Sequence, residues 1–175
     1  MFFLNKKQKM LSKFIFQACI LIPLQNFFKK LKPKKQQGFN KYAIISAVYN
    51  VEKYLDDYFN SIINQRLDFK NNILIICVDD GSTDHSANII KKYQKKFPKN
   101  IIYLYKDNGG QASARNLGLD FLRKNQDQSN INLNSSLAFD LKDIEWVTFT
   151  DPDDFLDRDY FYEVDRFLRK EEGED

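Results

Sequence analysis

Apolar and polar positions alternate along most of this chain in two rhythms. Tyr42–Tyr49 reads YAIISAVY, a continuous β-branched run that predicts a buried strand. Val51, Tyr54, Leu55, Tyr58, Phe59, Ile62 and Ile63 then recur at helical spacing, and Asn50 stands where it can cap that helix. A second buried strand is predicted over Asn72–Val78, followed by a helix from His85 to Phe97 with Ala87, Ile90, Tyr93 and Phe97 inward. Ile101–Tyr105 makes a third strand, and a helix follows over Gln111–Lys124. Residues 125–142, rich in Asn, Gln and Ser, predict a polar surface loop. A strand through Thr150 and a helix over Tyr160–Lys170 complete the pattern. Strands and helices alternating at this spacing mean βαβ units with right-handed crossovers and a largely parallel sheet, an α/β fold with flanking helices.

Each predicted strand stops on a polar turn, and in such a sheet those turns share one edge, where open α/β folds bind ligands. Trp146–Phe155 reads WVTFTDPDDF and ends on Asp151, Asp153 and Asp154. Carboxylates crowded at the tip of a buried strand imply a compensating cation, and oxygen donors suit Mg²⁺ or Mn²⁺ held jointly with substrate phosphates. An acidic helix cap explains the same three residues without any metal. At the other strand ends Tyr49 offers an aromatic face to a base, and Asp80 an acceptor for a base N–H. Gly109 and Gly110 allow close backbone approach. Arg115, near the start of its helix, suits a phosphate or an aspartate partner. Asp80-Gly81-Ser82 also makes an ordinary Asx turn and Gly-Gly an ordinary loop, so it is the recurrence at successive strand ends that points to a nucleotide.

Charge divides the chain. Residues 1–41 hold ten lysines and no acid, so the net +3 splits into +10 there and −7 in the remainder. An acidic body behind a basic leader excludes a nucleic-acid-binding domain, whose basic residues belong on the folded face. Hence two units are expected, a leader over 1–41 and a body over 42–175. Lys6, Lys9, Lys13 and Gln17 share one side of a helical wheel opposite Leu11, Phe14, Ile15, Ala18 and Ile22. With the lysines that follow, this basic amphipathic pattern fits peripheral contact with an anionic membrane at its inner, cytoplasmic face. A secretory signal peptide and a helix packed on another part of the protein are the competing readings. The 2 cysteines, Cys19 and Cys77, are too few and too far apart for a disulfide framework, and a reducing compartment fits them.

In order, ISAVYNVEKYL, VDDGSTD, DNGGQASARN and FTDPDDF resemble the family 2 glycosyltransferases of the GT-A fold, over about residues 42–170. The resemblance implies a Rossmann-like nucleotide-sugar-binding sheet and an inverting transfer from a nucleotide-diphospho sugar, UDP-linked. The acceptor it implies is a surface polysaccharide or lipid-linked glycan. It puts Ala47 and Tyr49 at the base-binding first turn, Asp80 on uracil, Gly110 in the nucleotide-sugar site and Arg115 near the diphosphate. Asp151 falls near the ribose, and Asp153 becomes the ligand of a Mn²⁺ or Mg²⁺ bridging the phosphates. Ala47 departs from the proline or small hydroxyl residue frequent there. The general base implied by the resemblance falls beyond residue 175, which makes the chain either a piece of a longer enzyme or a donor-binding module without transferase activity. A dehydrogenase or nucleotidyltransferase would need a glycine-rich loop after the first strand, and Val48-Tyr49-Asn50-Val51-Glu52 has no glycine.

Overall fold

The expected rhythm is realised in a computed structural model that describes residues 35–127 and 136–171. Strand β1 (Lys41–Val48) leads to α1 (Glu52–Ile63) and a single helical turn, α2 (Phe69–Asn72). Then come β2 (Ile73–Asp80), α3 (Ser86–Lys96), β3 (Ile101–Lys106) and α4 (Gln111–Asp127). A short 3-10 turn, Leu141–Asp143, precedes β4 (Ile144–Phe149), and α5 (Tyr160–Glu171) is the last element. The four strands lie in the order β3-β2-β1-β4, and every neighbouring pair is parallel. The chain therefore builds outward from β1 to β3 and then reverses to place β4 on the other side of β1. The crevice at such a reversal is where open α/β sheets bind ligands.

Period-two alternation sends the two halves of each central strand into two cores. Tyr42, Ile44, Val48, Ile73, Ile75 and Cys77 pack with Leu55, Phe59 and Ile62 of α1, Ile90 and Tyr93 of α3, and Phe161 of α5. Ala43, Ile45, Ala47, Leu74, Ile76 and Val78 face Ala114 and Leu122 of α4 together with Leu137, Leu141 and Ile144. Phe59 and Tyr93 stack with ring centres 4.4 Å apart, joining α1 to α3. Cys77 is a buried, free thiol within this packing. Tyr54, placed on the inner face by spacing alone, is half exposed.

Gly118 sets how closely α4 lies on the sheet. A Cβ there would stand 2.5 Å from Ile45 Cγ2 and 3.4 Å from Val78 Cγ2. Alanine in place of glycine improves helix propensity by about 1 kcal/mol, whereas overpacking a closed core costs about 1–3 kcal/mol. The clash is with a branched, fully buried side chain, so the packing cost wins. Gly118→Ala is expected to lower the urea midpoint of unfolding without changing its slope. An equal or higher midpoint would show that α4 lifts freely from the sheet.

Three sequence expectations are corrected. The body begins at Lys35, not residue 42. Gln36 bridges to Leu67, Lys35 Nζ donates to the carbonyls of Ile63 and Gln65, and the Asp165 carboxylate accepts from the Phe39 and Asn40 amides and from Tyr42 OH. Periodicity did not reveal this segment because it is held by side chains distant in sequence. The polar stretch 125–142 is also partly structured: α4 extends to Asp127, Leu141 is fully buried, and the Ala138 amide donates to Lys99 O. β4, read as buried, is an edge strand with Trp146, Val147 and Phe149 about 40% exposed. Of the leader expected over 1–41, residues 1–34, which carry its amphipathic pattern, lie outside the described ones. Among the described residues no helix is long and apolar enough to cross a membrane.

Candidate functional site

Four strand-end loops meet at the carboxyl edge of the sheet, and the first two lock each other. Asn50 adopts φ 52°, a left-handed conformation that Asn tolerates better than most residues. Its side-chain oxygen accepts from the Thr83 amide at 2.8 Å and the Asp84 amide at 3.3 Å. In return Asp84 Oδ2 caps the Glu52 amide at 3.0 Å, and Glu52 Oε2 takes the His85 amide at 2.7 Å. Asn50 was expected from sequence to cap its own helix, and it instead holds the loop after β2. The helices α1 and α3 are capped across the sheet edge, a device visible only once β1 and β2 are paired. His85 contributes its backbone amide here.

Asp79 and Asp80 close β2 and point to opposite faces. The side-chain bond to the turn that the sequence reading gave to Asp80 is made by Asp79, to the amide three residues on. Its Oδ1 accepts from the Ser82 amide at 2.9 Å and its Oδ2 from Tyr103 OH at 2.8 Å. Asp80 is buried, not the exposed cap it was taken to be. Lys106 Nζ lies 2.6 Å from its Oδ1, the Gly109 amide donates to the same oxygen at 3.0 Å, and the Gly110 amide donates to Oδ2 at 2.7 Å. Burial pushes this carboxyl up, but the Lys106 ammonium and the two amides outweigh it and hold it below the usual carboxylate range. Asp80 is thus the centre around which loop 106–110 folds. Gly110, at φ 88°, lets the chain turn so that its amide reaches Asp80. At Gly81, a Cβ would come within 2.9 Å of the Asn108 amide, so the second and third loops abut there.

At the end of β4 the expected crowding of carboxylates does not occur. Among the described residues, no three acidic, His or Cys side chains are grouped to hold a metal ion. Asp151 is neutralised: Arg115 Nη2 lies 2.6 Å from its Oδ1 and Gln111 Nε2 donates to the same oxygen at 2.8 Å. The Arg115 guanidinium lies 5.5 Å from the Phe149 ring centre. Asp153 and Asp154 are exposed. The burial penalty that argued for a cation is therefore absent, because β4 is an edge strand and Arg115 already compensates Asp151. A divalent ion fits this site in a different way. Mg²⁺-type sites commonly use one or two carboxylates and complete the shell with water and substrate phosphate. Asp153, exposed and with no hydrogen bond or ion pair among the described residues, is the carboxylate that would be open to such an ion.

A cleft of about 420 Å³ opens between these loops, lined by Ala47, Tyr49, Asp80, Asn108, Gly110, Gln111, Asp151 and Asp153 together with Val48, Val51 and Pro152. Six residues named from the sequence, Ala47, Tyr49, Asp80, Gly110, Asp151 and Asp153, share this wall. Arg115 stands behind it, holding Asp151. Tyr49 is half exposed at the cleft. Lys106 and Gln111 were given no role from sequence, because a lysine after a strand and a glutamine at a helix start carry no signal by type. Lys106 is identified by register, since it is the ladder partner of Asp80.

Comparison with known proteins bears on the fold and the family. The minor teichoic acid biosynthesis protein GgaB of Bacillus subtilis (strain 168) is 36% identical over 140 residues, 79% of this chain but 13% of GgaB. The minor teichoic acid biosynthesis protein GgaA of the same strain is 41% identical over 78 residues, 45% of this chain and 18% of GgaA. The chain thus spans less than a fifth of either relative. The crystal structure of Staphylococcus aureus TarS 1–349 in complex with UDP-GlcNAc superposes with a TM-score of 0.57 at 26% identity, over 74% of this chain and 31% of that one. The model of the glycosyl transferase family 2 matches residues 43–173, from β1 through the last helix, and by that match the chain belongs to this family.

Proposed function

We propose that the chain supplies the donor site of a glycosyltransferase that takes its sugar from a uridine-diphospho sugar and passes it to a cell-surface polymer or lipid-linked glycan. The carrying observation is the cleft at the β1/β4 reversal, which collects an exposed aromatic ring, a buried acceptor and an uncommitted carboxylate. Tyr49 offers its ring to the base, and Asp80 keeps acceptor capacity for a base N–H. A carboxylate has about four lone-pair sites, and loop 106–110 occupies three of them, leaving one on Oδ2. Asp153 and a Mn²⁺ or Mg²⁺ ion would meet the diphosphate, and the ion, when bound, would neutralise the leaving group. The polymer acceptor rests on the names of the teichoic acid relatives, and the uridine nucleotide on the UDP-GlcNAc complex of TarS.

Titration calorimetry in Mn²⁺ with UDP, CDP, ADP and GDP tests the donor reading. UDP is expected to bind at least about tenfold more tightly than the purine nucleotides, and Tyr49→Ala to weaken it by about tenfold through loss of base stacking. Equal affinity for all four, or no binding, would overturn it.

A further inference from the structure

Helix α1 carries polar side chains that neither the packing nor the donor cleft accounts for. Tyr58 and Ser61, at i and i+3, share one face of the helix, and Gln65 follows two residues beyond its end. That face is turned toward the segment that follows β4. Tyr58 OH, Ser46 Oγ and Thr150 Oγ1 form a closed triangle of hydroxyls. Tyr58 OH is 2.6 Å and Ser46 Oγ 3.1 Å from Thr150 Oγ1, and Tyr58 also hydrogen-bonds Ser46 directly. Ser61 Oγ accepts the Leu156 amide at 3.1 Å. Gln65, fully buried, donates from Nε2 to Asp157 O at 2.6 Å and accepts the Phe161 amide at 3.1 Å through Oε1.

These contacts fall on both sides of Asp151–Asp154 and touch none of the carboxylates. Thr150 is bound just before the turn, Leu156 and Asp157 just after it, and Phe161 at the start of α5. Three hydroxyls in a ring can each donate once and accept once, so the triangle is satisfied without water. Burial raises the Tyr58 phenol above its ordinary range, which keeps it an O–H. Among the described residues β4 pairs with β1 alone, so no second neighbouring strand fixes the turn that follows it. The polar face of α1 supplies that fixation from beneath.

We propose that Tyr58, Ser61 and Gln65 are positioning residues that set the placement of the Asp151–Asp154 turn and thereby the reach of Asp153 toward a metal–diphosphate. The proposal rests on the donor-site reading for its ligand and on the hydrogen bonds alone for its geometry. Two readouts keep these separate. Hydrogen exchange of the Asp154 and Leu156 amides, followed without any ligand, is expected to speed up in Tyr58→Phe and in Thr150→Val while the β1 and β2 amides stay protected. Unchanged exchange at these amides overturns the proposal whether or not UDP binds.

Where the wild-type protein binds UDP with Mn²⁺, Tyr58→Phe is expected to raise the Mn²⁺ concentration for half-saturation by about fivefold, because Thr150 and Ser46 both lose their bond to the phenol. Thr150→Val should match it, and the double variant should add little, since both remove the same triangle. Thr150→Ser keeps the hydroxyl and should behave as wild type. Lower melting temperature with unaltered Mn²⁺ dependence would show a role in stability only, and would sink the proposal. Should Tyr58→Phe fail to fold, the Thr150→Val and Thr150→Ser pair decides by the same two readouts.

Discussion

Replacing Asp80 with alanine is expected to cost about 3–5 kcal/mol of stability, because a buried ion pair loses its anion and two amides lose their acceptor. The Lys106 side chain is 20% exposed, so it can turn partly to water, which places the loss toward the lower end. Gly109 and Gly110 have no such escape without refolding loop 106–110, and that loop forms part of the cleft wall. Nucleotide affinity should therefore fall together with stability. Asp80→Asn keeps one acceptor oxygen but presents an NH₂ group to donors on the other side, so an intermediate loss is expected. Acid unfolding gives the sign test. The folded pKa of Asp80 is depressed below 3.8, so its contribution is complete above that pH and is lost as pH falls below it. Urea midpoints of wild type and Asp80→Ala should differ widely at pH 7 and draw together below about pH 4. A constant gap down to pH 2, or no gap at pH 7, would show that the Lys106 pair does not organise the loop.

The alternation of apolar runs was enough to place the helices and strands in order, because each run is long and its period unambiguous. It could not report neighbours. WVTF in β4 reads as apolar in any setting, and only the strand order shows that it lies at an edge with Trp146, Val147 and Phe149 exposed. That difference removed the burial argument for a metal cluster at Asp151–Asp154. The pairing of Asp80 with Lys106 needed the β2–β3 register, since the two are 26 residues apart. Asn50 looked like the cap of its own helix, and parallel pairing of β1 with β2 is what lets its side chain hold the loop after β2 while Asp84 reaches the Glu52 amide. Tyr58 was counted among the apolar residues of α1 by its ring, yet its hydroxyl is what reaches β4. The residues that line the cleft were legible because chemistry at strand ends needs only element order. The residues that hold the cleft in shape were not, because their partners lie in other loops.

Loss of the divalent ion, or of Asp153, is expected to weaken UDP binding by about 100-fold, equivalent to about 2.7 kcal/mol. The charges on the cleft wall explain why. Three carboxylates line it, but Asp80 is paired with Lys106 and Asp151 with Arg115. Asp153 alone remains uncommitted, and beside a diphosphate its charge repels unless a cation lies between them. EDTA and Asp153→Ala should therefore have similar effects, and EDTA should add little to the variant. Asp151→Ala should behave differently, because it releases Arg115, a guanidinium suited to phosphate, and so offsets part of the loss. Calorimetry of the three proteins with UDP, in Mn²⁺ and in EDTA, separates the roles. Metal dependence abolished by Asp151→Ala but retained in Asp153→Ala would exchange the two assignments. Equal affinity in Mn²⁺ and EDTA for the wild-type protein would remove the metal from the donor site altogether.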